Sequence, residues 1–232
     1  MIRVVRTNKP NSLVLNAERW RGEYLAARAA LAANPKSVEL KKAKKQAEQK
    51  YFQEDVQHAL REDMFHDKCG FCERKRDYSQ IEHYRPKDSY PELCFEWLNL
   101  ILACEVCNGA SYKGTKFLLD AEGNPLLINP CEDDPNEHIE FVCEQDDASD
   151  DGFMAILKPK TAKGEATIRI LGLNRLNLLK ERNRHIAPYY LILALMARDG
   201  DRTAMDLLNR ACQSDNIFAA FMRSIKMQIV RE

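Results

Sequence analysis

The chain has 232 residues, of which 45% are hydrophobic and 30% charged, with 35 basic and 35 acidic side chains. This length supports one substantial hydrophobic core, or a small domain set inside a larger one. The longest apolar run, residues 186–197, is shorter than the roughly 20 residues that cross a bilayer, and the first residues lack the pattern of a secretory leader. We therefore expect a cytoplasmic globular protein without a membrane partner.

The neutral total hides an uneven distribution of charge. Residues 119–151 hold 12 acidic and no basic side chains, so the rest of the chain carries an excess of 12 positive charges. The local field, and not the total charge, governs the attraction of a phosphate. The composition therefore does not exclude a nucleic-acid partner.

Apolar periodicity predicts helices at both ends of the chain. Residues 13–64 have helical spacing with a break at Asn34-Pro35, and a second helix is expected from about Ser37. The apolar side chains expected to be buried by this second helix are Tyr51, Phe52, Val56 and Leu60.

The helical signal returns from Thr161, with segments at 168–171 and 176–196, a break or new start at Pro188, and two pieces in 204–230. Between the helical ends, residues 119–151 are expected to form an irregular acidic connector with short strands at 126–128 and 139–142.

Four of the eight cysteines form two C-x-x-C pairs, Cys69/Cys72 and Cys104/Cys107. This spacing lets both sulfurs of a pair face one cation, and a set of four thiolates suits tetrahedral structural zinc without leaving a catalytic position. The alternatives are four reduced core cysteines or a redox C-x-x-C pair, and the latter leaves the second pair unexplained. The sequence therefore favours a zinc site.

The segment between the cysteine pairs contains groups suited to phosphodiester hydrolysis. Glu82 and Asn108 offer the hard oxygen ligands that Mg²⁺ or Mn²⁺ prefers, and His83 can be neutral and accept a proton at cellular pH. Taken singly, Glu82 also suits a salt bridge, Asn108 a helix cap, Asn99 a turn and His83 a structural histidine. Adjacent strand residues face opposite sides, so Glu82 and His83 converge only if the strand twists at its end.

These motifs, in this order, resemble the HNH (His-Me finger) endonucleases that carry a zinc-knuckle pair: Cys-x-x-Cys, Glu82-His83 with Pro86, Trp97-x-Asn99-Leu100 and Cys-x-x-Cys-Asn108. The resemblance implies an α+β fold in which a ββα-metal HNH module is flanked by N- and C-terminal helices. It also implies that His83 is the general base, that Asn99 positions the histidine loop, and that Glu82 and Asn108 bind the catalytic metal. Many family members have Asp at the position of Glu82, and often His at that of Asn108.

Two further segments extend the resemblance to the PtuB-type nucleases of Septu and some retron anti-phage systems. They are residues 128–138, containing Asn129-Pro130-Cys131-Glu132, and residues 167–175, which end in Leu171-Gly172-Leu173-Asn174-Arg175. The resemblance implies a defence nuclease that acts with an ABC/SMC-type ATPase, PtuA.

The division expected from these features comprises an N-terminal helical region (1–64), a zinc-stabilised HNH module (65–118), an acidic connector (119–160) and a C-terminal helical region (161–232). Four basic side chains flank the candidate site and are predicted to contact nucleic-acid phosphates: Arg85, Lys87, Lys113 and Lys116.

Three functions remain open from the sequence. The first is a nuclease of DNA or RNA, with DNA favoured. The second is a zinc-ribbon adaptor that binds nucleic acid or a protein without cutting, which would leave Glu82, His83 and Asn108 unexplained. The third is a nuclease that is silent until the ATPase releases it. His138 and the acidic residues around it are expected to serve docking or packing and not catalysis.

Overall fold

The computed structural model describes residues 1–76, 78–145, 153–198 and 202–229. Residues 146–152 of the predicted acidic connector and Val230 of the predicted C-terminal helix lie outside these ranges. The described chain combines helices with two separate two-stranded antiparallel sheets. The structure thus has the mixed helix and strand character that the sequence predicts.

Two N-terminal helices lie on either side of the predicted break at Asn34. Helix α1 comprises Asn11–Ala33, and α2 comprises Val38–Glu48. The hydroxyl of Ser37 accepts a hydrogen bond from the main-chain N–H of Leu40 (3.2 Å) and so caps α2, which starts where the sequence predicts. The buried face of α1 follows the helical repeat through Leu13, Ala17, Trp20 and Tyr24.

Helical structure continues after α2 in shorter pieces. A tight turn over Gln49–Tyr51 leads to α3, Glu54–His58, which passes into a π-helical turn over Ala59–Met64. Val56 and Leu60 are buried, as the sequence predicts.

The predicted burial of Phe52 is wrong. Its side chain is 57% exposed, whereas Tyr51 beside it is half-buried. The prediction assumed one regular helix, but α2 ends at Glu48 and the turn over Gln49–Tyr51 interrupts the 3.6-residue repeat. Phe52 therefore leaves the apolar face on which its spacing would place it.

The central part of the chain contains the first sheet. Strand β1, Ser79–His83, pairs with β2, Leu100–Cys104, so that Glu82 lies opposite Ile101 and His83 opposite Leu100. Every residue of β2 is buried, and the short helix α4, Glu105–Asn108, follows it without a loop. Phe95, Trp97 and Leu100 belong to the buried core.

The second sheet is formed by β3, Ile139–Gln145, and β4, Phe153–Pro159, and is preceded by the short helix α5, Pro135–His138. The predicted strand at 139–142 is confirmed as part of β3. Strand β4 was not predicted.

The predicted strand at residues 126–128 is wrong. This segment contains bends, and the main-chain N–H of Ile128 bonds to the hydroxyl of Thr167 (2.9 Å) instead of a neighbouring strand. Its apolar side chains are nevertheless buried at Leu127 and Ile128. A buried apolar run thus gave a strand-like pattern without forming a ladder.

Where the structure describes it, the C-terminal region contains four helices: α6, Ala162–Leu171; α7, Leu176–Arg198; α8, Arg202–Ala211; and α9, Ala219–Ile229. The hydroxyl of Thr161 caps α6 by accepting a hydrogen bond from Gly164 (3.2 Å). The predicted break at Pro188 is wrong, since α7 continues through it. Packing of α7 against β4, α8 and α9 offsets the hydrogen bond that a proline removes from a helix.

Buried polar contacts connect the cysteine-rich segment to the last helices. The ammonium of Lys68 donates to the carbonyl of Asn216 (2.7 Å), and the carboxylate of Glu73 accepts from the N–H of Ala220 (3.3 Å). The division of the chain into four regions stays a prediction. Among the described residues, no helix is both long enough and apolar enough to cross a bilayer.

Candidate active site and metal centre

The two C-x-x-C pairs meet in the core. All four side chains are buried, and their sulfurs lie within 4.8 Å of one another. The first pair lies on a turn that is tied to β2 by a hydrogen bond from Gly70 N–H to the carbonyl of Leu102 (2.8 Å). The second pair spans the junction of β2 and α4.

The geometry of this cysteine cluster fits one metal ion. Tetrahedral zinc with Zn–S bonds of about 2.3 Å requires sulfurs about 3.8 Å apart, and the Cys72 and Cys104 sulfurs are separated by 3.8 Å. That separation is far beyond a disulfide bond of about 2.05 Å. The four cysteines can therefore bind a metal ion such as zinc.

The surroundings of the cluster also suit thiolates. The guanidinium of Arg175 donates to the sulfur of Cys107 (3.7 Å), and the charges of Arg74 and Arg182 act on Cys72. A divalent ion bound to four thiolates has two negative charges in excess, which nearby cations stabilise.

The segments at 128–138 and 167–175 belong to the same buried body. Thr167 holds the main chain at Ile128, and Arg175 contacts the cysteine cluster. Gly172 has a left-handed backbone (φ 54°), and a Cβ there would overlap the ring of Tyr112. These contacts explain in structural terms why residue types in the segments 128–138 and 167–175 matter for the fold around the cysteine cluster.

Glu82 faces a buried cation. The ammonium of Lys113 forms an ion pair with Glu82 Oε1 and donates to the main-chain carbonyl of His83 (2.9 Å). Burial raises the pKa of Glu82, while the charges of Lys113 and Lys87 act in the opposite direction. Lys113, predicted to contact phosphate, is 0% exposed and engaged by this pair.

His83 is 4% exposed, and one nitrogen of its ring is bonded. Its Nε2 lies 2.8 Å from the main-chain oxygen of Cys94. Because a carbonyl only accepts, Nε2 carries the proton of the neutral ring and Nδ1 carries the lone pair. Burial, together with the nearby charges of Lys87 and Lys113, lowers the pKa of His83 to about 4, although the hydrogen bond to Cys94 and the charge of Glu48 act in the opposite direction. The ring is thus neutral at neutral pH.

The ring of His83 is covered by the N-terminal region. Tyr51 meets it edge-on, with ring centroids 4.8 Å apart and an interplanar angle of 86°. Tyr51 also lines a cavity of about 550 Å³ beside β1. The turn after α2 therefore contributes directly to the surroundings of the histidine.

Asn99 ties together the loop that follows His83. Its side-chain oxygen accepts from Arg85 N–H (2.7 Å), and its amide donates to the carbonyls of Arg85 (3.0 Å) and Leu93 (3.2 Å). Leu93 directly precedes Cys94, whose carbonyl holds the imidazole. Asn99 thus holds both ends of the loop between His83 and Cys94, at Arg85 and at Leu93.

Glu82 and Asn108 line the same cavity. The amide nitrogen of Asn108 donates to Gln80 Oε1 (2.8 Å), which leaves the amide oxygen available as an acceptor. Asn108 is the last residue of α4, whose N-cap is Cys104, so Asn108 does not cap the start of that helix. The other residues that line the cavity are Gln49, Tyr51, Phe52, Ser79, Gln80, Ile81 and Lys87.

The remaining basic candidates have different surroundings. The guanidinium of Arg85 lies over the ring of Phe117, 5.2 Å from its centroid. Lys87 lines the cavity and pairs with Glu48 (2.9 Å). Lys116 is exposed and donates to the carbonyl of Ser111 (2.9 Å).

The acidic turn around His138 has structural contacts. Asp133 pairs with Lys163 (2.7 Å), and Asp134 caps α5 by accepting from Asn136 N–H (2.9 Å). His138 Nδ1 lies 2.9 Å from the hydroxyl of Thr161. These contacts are structural, and the prediction that the segment serves docking or packing stays a prediction.

Three contacts around the site were not predicted: the ring of Tyr51 on His83, the carbonyl of Cys94 on its Nε2, and the ammonium of Lys113 on Glu82. A main-chain carbonyl has no sequence signal. Tyr51 and Lys113 lie about thirty positions from their partners, so only the folded chain brings them together.

The comparison with known proteins identifies the family. The chain is 34% identical over 193 residues to the Septu protein PtuB of Bacillus mycoides (strain KBAB4), a match covering 71% of this chain and 62% of that protein. It is 30% identical over 168 residues to "Retron Vc95 putative HNH endonuclease" of Vibrio cholerae serotype O1 biovar El Tor, covering 68% of this chain and 75% of the relative. The chain belongs to the PtuB-type HNH nucleases.

The chain spans less than two thirds of the Bacillus mycoides PtuB. A further relative, the Septu protein PtuA of the same strain, is 27% identical over 189 residues, which are 69% of this chain and 25% of PtuA. No family model matches the chain, and no solved structure matches it.

Proposed function

We propose that this chain is a metal-dependent HNH endonuclease that hydrolyses phosphodiester bonds, with DNA as the favoured substrate, in an anti-phage system. The observation that carries the proposal is the fixed, neutral state of His83: Cys94 holds the proton on Nε2, and Nδ1 keeps its lone pair. A buried histidine held in this way suits a general base.

In this proposal His83 takes the proton of the attacking water at Nδ1. Asn99 positions the histidine through its hydrogen bonds to Arg85 and Leu93. Strands β1 and β2 with α4 form the ββα-metal module, since they follow one another in that order and carry the histidine and both proposed ligands.

The oxygens of Glu82 and Asn108, which line one cavity, suit Mg²⁺ or Mn²⁺. A bound divalent ion supplies positive charge that stabilises the developing charge on the phosphate and the leaving oxygen. Lys113 holds one carboxylate oxygen of Glu82 away from solvent, and Arg85, Lys87 and Lys116 are the proposed phosphate contacts. We propose that the cysteine cluster holds structural zinc.

The experiment is cleavage of plasmid DNA and of RNA with Mg²⁺ or Mn²⁺ by the wild type and His83→Ala. Loss of the general base is expected to slow cleavage about 100-fold or more. His58→Ala is the matched control, because His58 is exposed and does not line the cavity. Equal cleavage by wild type and His83→Ala would reject the assignment and favour the adaptor function.

We further propose an ATPase of the PtuA type as the partner. The support is that a segment similar to this chain occurs within a protein named PtuA. Two units that are joined in one polypeptide are candidates to associate when they are separate chains. Gel filtration of the two proteins, alone and mixed, tests the proposal. Separate elution at micromolar concentration would contradict it.

His83 is buried beneath Tyr51. This burial favours the third function, a nuclease that cuts weakly until the ATPase releases it. Cleavage by the chain alone is then slower than cleavage by the complex. Addition of the ATPase with ATP to the cleavage assay measures this difference, and equal rates would contradict it.

A further inference from the structure

We propose that the wall formed by Gln49, Tyr51 and Phe52 binds the base of an unpaired nucleotide next to the scissile phosphate. This inference rests on the proposed nuclease function, and it makes single-stranded or locally unpaired nucleic acid the substrate. The wall and the proposed metal ligands Glu82 and Asn108 line the same cavity.

The size of the cavity is the first argument. Its volume of about 550 Å³ lies within the range of roughly 300–1,000 Å³ that is typical of sites for small organic ligands. A hydrated metal ion alone needs far less space. The cavity can therefore hold a nucleotide beside the metal ligands.

The second argument is that Phe52 is exposed although its backbone is fixed. The N–H of Phe52 bonds to the carbonyl of Gln49 (2.9 Å), and the next residue, Gln53, bonds to the carbonyl of Tyr51 (2.9 Å). Tyr51 is anchored on His83. An aromatic ring that is 57% exposed on such a turn can stack with little loss of backbone entropy.

The charges of the cavity favour a base over a phosphate at this wall. None of the three wall residues has a charged side chain, and Glu82 contributes a carboxylate to the lining. Gln49 is exposed, and among the described residues its side chain makes no hydrogen bond. Its amide can donate to and accept from the edge of a base, while Phe52 offers a ring face to stack on.

Base pairing decides the substrate class. In a duplex each base is stacked between its neighbours, so its face cannot reach a protein side chain unless the nucleotide is turned out. Single strands and unpaired loops offer this face directly. The aromatic wall therefore favours them over regular duplexes.

The experiment measures binding by fluorescence anisotropy, with the full chain and no added Mg²⁺. The probes are one fluorescein-labelled oligonucleotide as a single strand and the same oligonucleotide in a duplex. Phe52→Ala is expected to weaken single-strand binding about 10-fold, whereas duplex binding changes less than twofold. Phe52→Trp is expected to retain single-strand binding, because indole stacks at least as well as phenyl.

Leu98→Ala is the matched control, since Leu98 is 62% exposed but does not line the cavity. Circular dichroism verifies that the exposed Phe52→Ala variant is folded. Wild-type affinity of Phe52→Ala for the single strand, or an equal loss for single strand and duplex, would overturn the proposal. The same holds if Phe52→Ala weakens only binding of the PtuA-type ATPase.

Failure of the nuclease function is separate from this outcome. The anisotropy measurement needs no cleavage, whereas the His83→Ala experiment needs no change at Phe52. If His83→Ala cuts normally while Phe52→Ala loses single-strand binding, the binding site stands and the catalytic assignment falls.

Discussion

At the scale of single residues, the site depends on an ion pair that is almost completely enclosed. Lys113 is fully buried and contacts both Glu82 and the main chain of His83. A buried ammonium without its carboxylate, or the reverse, leaves an uncompensated charge in a medium of low polarity. The pair therefore holds the end of β1 in place before any metal or substrate binds.

Lys113→Met is expected to lower the free energy of unfolding by about 3–5 kcal/mol, because it leaves the carboxylate of Glu82 buried without a partner. Urea denaturation measures the change. Lys116→Met is the control, and because Lys116 is exposed a change within about 0.5 kcal/mol is expected. Similar stability of the two variants would show that the pair contributes little.

The lowered pKa of His83 predicts a pH dependence of stability. The unfolded histidine takes up a proton near its usual pKa of about 6.5, whereas burial keeps the folded one neutral to about pH 4. The neutral state of His83 therefore contributes fully to the free energy of unfolding above about pH 6.5. The contribution falls as the pH is lowered towards 4, and the total loss is about 3 kcal/mol at most. Urea denaturation across this range is expected to show a shallower slope for His83→Gln than for the wild type, and parallel slopes would contradict the prediction.

At the scale of elements, the packing of α6 against the end of α5 requires a glycine, whereas a glycine in α1 has no such role. Gly164 in α6 lies so close to the main chain that a Cβ would overlap the carbonyl oxygen of His138. Apart from the neighbouring backbone of α1 itself, no atom lies within 4 Å of the position that a Cβ at Gly22 would take. The same residue type in two helices thus has a packing role in α6 and none in α1.

Gly164→Ala is expected to destabilise the protein by about 1–3 kcal/mol, because α6 must move away from His138. Gly22→Ala, the matched helical control, is expected to stabilise it by about 0.5–1 kcal/mol through the helix propensity of alanine. Thermal unfolding followed at 222 nm distinguishes them. A shift of both variants in the same direction would contradict the packing argument.

At the scale of the whole molecule, the cysteine cluster connects parts that are distant in sequence. It joins the turn at Cys69 to the β2–α4 junction, and Arg175 links the cluster to the C-terminal helices. Metal binding by four cysteines is coupled to folding. Loss of a metal at this cluster should therefore affect the unfolding of the whole chain.

Removal of the proposed zinc ion is therefore expected to lower the unfolding temperature of the whole chain and to broaden the transition. Cys104→Ser and treatment with a strong chelator are expected to have the same effect, measured by calorimetry with zinc content determined by mass spectrometry. Cys212→Ser, which lies outside the cluster, is the control. A sharp wild-type transition in zinc-free protein would exclude a structural metal.

The sequence predicted features that depend on neighbouring residues. The start of the second helix near Ser37, the break at Asn34 and the approach of the two sulfurs within each C-x-x-C pair follow from local geometry, and the structure confirms them. The errors at Phe52, at 126–128 and at Pro188 arose where periodicity or a single residue type was interpreted without knowledge of the packing partner. The roles of His83, Glu82, Asn99 and Asn108 stay predictions.

By itself the sequence indicated the family of the protein, because the identity and order of the cysteines, Glu82-His83 and the two asparagines form a motif that does not depend on packing, and the relatives confirm that family. Only the tertiary structure decided the state of those groups. His83 is buried because Tyr51 covers it, and Glu82 is paired because Lys113 lies beside it. Phe52 is exposed because no distant segment of the described chain covers it. Desolvation and charge pairing are set by what the fold brings close, and spacing along the chain does not encode them.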